Sequence, residues 1–189
     1  TSVDWVGVFG QASYIAGPIS AYGMVGSSSI KYSYQDHFTV ADKKINSESI
    51  GATQFKGGAM FDVSNDISVF GNFGIVEKPP IMDNVIYIDG TVADNPDNEQ
   101  FVSTEFGVNW RLMDGRIATK VNVYNTDWND RNLTKSVTTG QGSSGDTDVI
   151  FLTGVDQNHK GIEIEASAQV HDMVRVDAAL SFGTWEFVG

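Results

Sequence analysis

The stretch Gly-Gln-Gly-Ser-Ser-Gly at 140–145 has the G-x-G-x-x-G spacing with which backbone amides cradle a pyrophosphate. That chemistry needs a strand before the first glycine and a helix N-terminus after the last. Here Thr138-Thr139 precede and Asp146-Thr147-Asp148 follow, without a helical pattern, so a flexible external loop is expected. Asp94, Asp97 and Glu99 in "DNPDNE" cluster oxygens of the kind calcium takes, but the EF-hand spacing and its glycine are missing, and a solvated loop is expected. His159 and Glu163 share a face of a strand yet stand about 13 Å apart, too far for one metal. His37 and His171 fall in a loop and a turn, so no metal site is expected. No G-x-S-x-G elbow accompanies the serines, and no nucleophile is paired with a base. The expectation is a protein that is not an enzyme and carries no cofactor. Recognition remains, and loops perform it. The candidate ligand-binding residues are Lys78, Tyr87, Asp89 and Trp128, the first three in a connection at 77–101 whose start is restricted by Pro79 and Pro80. The alternative is a loop that only covers what lies beneath it.

The elements that would carry these residues are strands. The chain has 189 residues, 41% hydrophobic and 19% charged, which suits one folded domain rather than a disordered tail. It starts at Thr1, with no basic segment leading into an apolar run, so no signal peptide is expected. No apolar run is long enough for a membrane helix, which says nothing against a membrane β-barrel. The absence of cysteine removes disulfides and thiolate chemistry. A formal charge of −12 repels phosphate backbones, so nucleic acid is not an expected partner.

Period-2 alternation predicts about eight strands, near 4–16, 19–30, 54–63, 67–76, 102–112, 117–128, 153–170 and 173–186. In "GIEIEASAQV", Ile162, Ile164, Ala166, Ala168 and Val170 share one face, and Glu163, Glu165, Ser167 and Gln169 the other. Tight turns at Gly17-Pro18, 64–66, 113–116 and 171–173 alternate with long connections at about 31–53, 77–101 and 129–152. That rhythm puts all tight turns at one end of an up-and-down meander and all long loops at the other, as in outer-membrane barrels. Four residues separate Leu112 from Ile117 where three separate Val63 from Ile67 and Val170 from Val174, so a bulge or a face switch is expected there. Trp5, Trp128 and Trp185 near the long loops, with Tyr14 and Trp110 near the tight turns, have the distribution of interfacial aromatic girdles.

Three segments carry a resemblance. "FVSTEFGVNWRLMDGRIATKVNVYNTDWNDRN" at 101–132 resembles a strand–turn–strand from the C-terminal half of TonB-dependent outer-membrane receptors. "GVDQNHKGIEIEASAQVHDMVRVDAALSFGTWEF" at 154–187 resembles the hairpin that follows, and "GGAMFDVSNDISVFGNFGIVEKPP" at 57–80 the one before. The "SFGTWEF" ending is similar to versions common in Bacteroidetes-type bacteria. The resemblance implies an all-β antiparallel meander within a larger transmembrane barrel of about 22 strands. It also implies a plug domain, uptake of siderophore, cobalamin or glycan, energy from a TonB complex, and outer-membrane lipid as surroundings. A partner lipoprotein is a further expectation. Residues 1–189 are then a segment of barrel wall, with neither plug nor TonB box seen.

Two alternatives stay open. Eight strands could close a small anchoring barrel, with 4–16 paired to 173–186. Or the apolar faces could oppose one another in a soluble β-sandwich.

Overall fold

A computed structural model describes residues 1–37, 43–87, 90–139 and 146–188. The predicted glycine-rich stretch at 140–145 and the candidate Asp89 lie outside them. The strands are β1 (Ser2–Ala16), β2 (Ile19–Asp36), β3 (Lys43–Asn46), β4 (Ile50–Asp62), β5 (Ile67–Lys78), β6 (Glu99–Leu112), β7 (Ile117–Thr139), β8 (Asp146–His171) and β9 (Val174–Val188). They form one antiparallel sheet in the order β1-β2-β4-β5-β6-β7-β8-β9, with β3 paired to the outer part of β2. The meander holds with nine strands in place of eight.

The two long connections at 31–53 and 129–152 are largely not loops. β2 continues to Asp36 and β3 folds back on it, pairing Ser33 with Asn46. β7 and β8 continue as a ladder as far as Thr139 and Asp146, with register shifts between Trp128 and Leu133. Asp130 and Gly154 there adopt left-handed φ of 54° and 70°. About ten residues suffice to cross a bilayer, so these arms of 23 and 26 residues project well beyond it. Outside lipid no face must be apolar, so the alternation that marks a strand fades while the hydrogen-bond ladder persists.

The tight turns explain the register. Gly17 takes φ of 56° at the first central position of a two-residue turn, the II′ arrangement that matches strand twist, with Pro18 second. In the 113–116 turn, Met113, Asp114 and Gly115 have φ of 54°, 54° and 83°. Leu112 then pairs with Ile117 without a bulge or a face switch, contrary to expectation. Direct partners across an antiparallel ladder point to the same side whatever the number of turn residues. The irregularity lies instead at His171, between the Gln169–Arg175 and His171–Val174 pairs.

The pairings run two stripes across every strand. Phe61, Val69, Val108, Val121, Ile164 and Leu180 form one row of mutual partners. The other side carries Asp62, Ser68, Asn109, Lys120, Glu165 and Ala179, again partner by partner. The apolar stripe is not covered: Phe106 is 64% exposed and Leu180 58%. No second layer packs on it among the described residues, which removes the β-sandwich. β1 and β9 are the two ends of the sheet and do not pair, which removes closure of these strands upon themselves.

On the polar side, large rings lie over glycines. A Cβ at Gly107 would run into the Phe70 ring and stand 2.8 Å from the Val121 carbonyl oxygen. We expect Gly107→Ala to destabilise the intact barrel by about 1–3 kcal/mol, as overpacking does. Urea-driven unfolding in lipid vesicles measures this, and a change below about 0.5 kcal/mol would mean the Phe70 ring moves freely.

The aromatic girdle is present at one end only. Tyr14 and Trp110, near the tight turns, stand on the apolar stripe, 66% and 48% exposed. Trp5, Trp128 and Trp185, near the long connections, stand on the opposite side, in register with Ile30, Gln157 and His159. One residue of register reverses the direction of a side chain, and position along the strand does not reveal it.

Candidate functional site

The small apolar core sits at the long-loop end. Tyr32 of β2, Ile45 of β3, Ile50 of β4 and the loop residues Val85 and Ile86 are buried together, with Ile30, Tyr34, Met82 and Val92 against them. The loop after β5 reaches this core through a 3-10 turn at Met82–Asn84 and closes with an Ile86–Val92 bridge. Burying each such side chain contributes roughly 1.5–3 kcal/mol, so the loop is held rather than draped. Pro80 helps, since its carbonyl accepts the Tyr32 hydroxyl at 2.9 Å.

Burial pushes the Tyr32 phenol above its ordinary value. The neutral form is the one the fold favours. Its contribution is complete below a pH of about 10 and is lost as the pH rises through the higher folded-state value. Tyr32→Phe should cost about 1 kcal/mol through the lost hydrogen bond. It should also remove a late phase from the alkaline tyrosine absorbance titration. A titration unchanged in its late part would show that Tyr32 is not the buried phenol.

Two of the four candidate ligand residues come together, on a residue that sequence reasoning had placed elsewhere. Lys78 and Glu99 are direct partners at the outer ends of β5 and β6. The Lys78 ammonium donates to both Glu99 oxygens at 3.1 and 3.0 Å. Glu99 is 1% exposed. Its carboxylate also accepts the Trp128 indole N–H at 2.9 Å and the Asn132 amide at 3.5 Å. Phe101 stacks on Trp128 at 4.6 Å between centroids, and the Arg131 guanidinium lies 4.1 Å from the same indole ring. Arg131 also donates to Gln157. His159 and Trp185 continue the row, at 6.2 and 6.0 Å between successive centroids.

The indole of Trp128 is thus occupied on its polar edge and over its ring, which makes it a clamp across β6, β7 and β8. Tyr87 lies apart on the Ile86–Val92 bridge, 41% exposed. Glu99 was read as part of the acidic loop 94–99. Its true signal is parity: it continues the Phe101, Ser103, Glu105 side of β6 by one step. Recognising that required the register across a connection of twenty residues.

Asp94 and Asp97 line a depression of about 820 Å³ with Glu48, Glu77, Asp130 and Asp156, and among the described residues no basic side chain lines it. Among the described residues no group of three or more His, Cys, Asp or Glu could hold a metal ion.

Further down the same polar side a hydrogen-bonded network crosses the sheet. Tyr22 donates to Asn72 at 3.4 Å, Asn72 to Glu105 at 2.9 Å, and Lys120 pairs with Glu105 at 3.2 Å. Asn122 donates to Glu163 at 3.1 Å. This is the face on which Glu163 and Glu165 lie, opposite Ile162 and Ile164.

A single sheet, apolar and uncovered on one side and internally bonded on the other, with tight turns at one end and long arms at the other, is a section of transmembrane β-barrel wall. The family model described as TonB dependent receptor-like, beta-barrel matches residues 1–188, and the chain belongs to that family. A comparison with curated proteins finds no matching sequence. Among solved structures, the copper transporter OprC is 17% identical with a TM-score of 0.72, over 97% of this chain and 29% of that one. The alcaligin outer-membrane receptor FauA from Bordetella pertussis is 15% identical with a TM-score of 0.67, over 98% and 30%. The FrpB iron transporter from Neisseria meningitidis is 16% identical with a TM-score of 0.64, over 96% and 25%. At these identities the likeness is one of fold, and the chain spans 25–30% of the length of each. The membrane is the outer membrane of Gram-negative bacteria. The apolar stripe faces its lipid and the polar side lines the barrel.

Proposed function

We infer that residues 1–189 form a wall segment of an active importer, a receptor that brings a scarce nutrient through the outer membrane. The cargo class implied by the resemblance is a siderophore, cobalamin or a glycan. The observation that carries this reading is the family match over residues 1–188, taken with the polar inner stripe that such a pore needs. The segment performs no bond chemistry. Its strands hold the pore open, and its outer ends present side chains to the cargo. Energy would come from a TonB complex acting on a plug domain elsewhere in the receptor, and a surface lipoprotein is a candidate partner for capture. Of the four residues expected to touch ligand, Tyr87 is 41% exposed, Lys78 and Trp128 are bonded to Glu99, and Asp89 lies outside the described residues.

The test is uptake in the native host. Cells with the intact receptor should accumulate its cargo, and deletion of either the receptor or TonB should abolish accumulation. Uptake that persists without TonB would overturn the reading.

A further inference from the structure

The lipid side of the wall is not evenly filled. Rows of direct partners climb away from the tight turns as they cross the sheet. Ile19 opens β2, yet its row runs through Phe61, Val69 and Val108 to Val121, four residues into β7 from Ile117. The next row runs Tyr14, Ala21, Ala59, Gly71, Phe106 and Val123. These two rows line a trough of about 690 Å³, and every side chain that reaches it from the lipid side is apolar. Its bed is the direct pair Ala59 and Gly71, and Phe61 and Val69 form its lower wall. A Cβ at Gly71 would stand 3.1 Å from two carbons of the Phe106 ring, so that ring lies down over Gly71 and closes the upper end.

The trough has the depth of one leaflet. It starts at Ile19, beside the Gly17-Pro18 turn, and ends at Val123, six residues beyond the first residue of β7. Six residues of strand rise about 20 Å, and a tilt of about 40° turns that into about 15 Å of membrane depth. Half of a hydrocarbon core about 30 Å thick is the same distance. Tight turns of such barrels are periplasmic, so the leaflet is the inner one, which is built of glycerophospholipid. Tyr14 stands at the low end of the second row, 66% exposed, and no described residue bonds its hydroxyl. A phenol at that level meets the interface of the bilayer.

We propose that the trough holds one acyl chain of an inner-leaflet glycerophospholipid, with the Tyr14 hydroxyl on its ester or phosphate oxygens and its methyl end at Phe106 and Val123. Hydrocarbon gains nothing by leaving other hydrocarbon, so retention has to come from packing. A chain in a concave bed touches protein below and on both sides, and those contacts add up. The lining comes from two neighbouring rows about 7 Å apart. That width admits a single hydrocarbon chain and not a helix about 10 Å across. The open side faces the bilayer, where the second chain of the same lipid lies. The proposal goes beyond the importer reading: it needs only the outer-membrane setting and holds for any cargo.

Three substitutions test it, each apolar for apolar on the lipid side. Ala59→Leu fills the bed, and Phe61→Ala removes the lower wall. Ala178→Leu adds the same bulk on β9, outside the trough, where Ala178 is exposed opposite Ala166. The full-length receptor is purified from outer membranes in detergent, and its bound lipids are counted by native mass spectrometry. We expect phospholipid to be retained. The count should fall by one in Ala59→Leu and in Phe61→Ala, and stay the same in Ala178→Leu. Palmitoyl-oleoyl-phosphatidylethanolamine added to the delipidated protein should restore the lost lipid in the unsubstituted receptor and in Ala178→Leu, but not in Ala59→Leu. No phospholipid retained or rebound, a count that Ala59→Leu leaves unchanged, an equal fall in Ala178→Leu, or loss of lipopolysaccharide in place of phospholipid would each overturn the proposal.

Discussion

Glu99→Ala is expected to lower the stability of the intact receptor by about 2–4 kcal/mol, with the loss concentrated at the outer ends of β5, β6 and β7. The carboxylate is 1% exposed and accepts from Lys78, Trp128 and Asn132. Hydrogen bonds to a charged group contribute about 1.5–3 kcal/mol each. The Lys78 share is smaller, because that side chain is 47% exposed and water screens it. The costlier orphan is the Trp128 N–H, which loses its acceptor inside a cluster formed by Phe101 and Arg131. Glu99→Gln keeps one acceptor oxygen and should recover about half of the loss. A double-mutant cycle with Trp128→Phe isolates the pair. Denaturation in lipid vesicles supplies the four free energies, and a coupling within about 0.5 kcal/mol of zero would mean that Trp128 does not depend on Glu99.

Phe106→Arg should cost about as much for an unrelated reason. Phe106 is 64% exposed on the apolar stripe, two lipid-facing positions in from the girdle residue Trp110, between Gly71 and Val123. A basic residue facing lipid at the bilayer midplane costs about 2–4 kcal/mol. The companion substitution is Ser181→Arg on β9, whose direct partner is Glu163 on the polar side. There an arginine gains an opposite charge across the ladder and should cost close to nothing. The comparison reads out which side meets hydrocarbon. Measured as folding efficiency and stability in vesicles, equal costs for the two would show that the stripes have been assigned to the wrong surroundings.

The extent to which these features could be read beforehand differs by region. Within the bilayer, hydrocarbon demands an apolar residue at every second position, and that demand is written into Ile162, Ile164, Val174, Val176, Leu180 and Phe182. The strands, their tight turns and the membrane-facing stripe followed from it. Beyond the bilayer the demand stops. The arms of β7 and β8 past Trp128, and the β3 finger on β2, were read as loops because nothing forces their side chains to alternate. The 113–116 turn was misjudged for a different reason: counting residues in a turn constrains its geometry but not the side on which its flanking partners lie.

The candidate site divides in the same way. Lys78 and Trp128 were legible as polar and aromatic residues near long connections. Their common partner was not, since Glu99 lies twenty-one residues from Lys78 and its pairing depends on how the intervening loop closes. The same holds for the three outer tryptophans, whose distance along each strand was right and whose direction was not. By itself, the order of residues determined the class of fold, the two stripes and the end at which the long arms emerge, because solvent and lipid impose those locally, residue by residue. The tertiary structure alone decided which side chains meet across strands. It buried Glu99 under Trp128, opened a trough over Ala59 and Gly71 and seated the loop on Tyr32, because register and loop closure couple positions that no local rule connects.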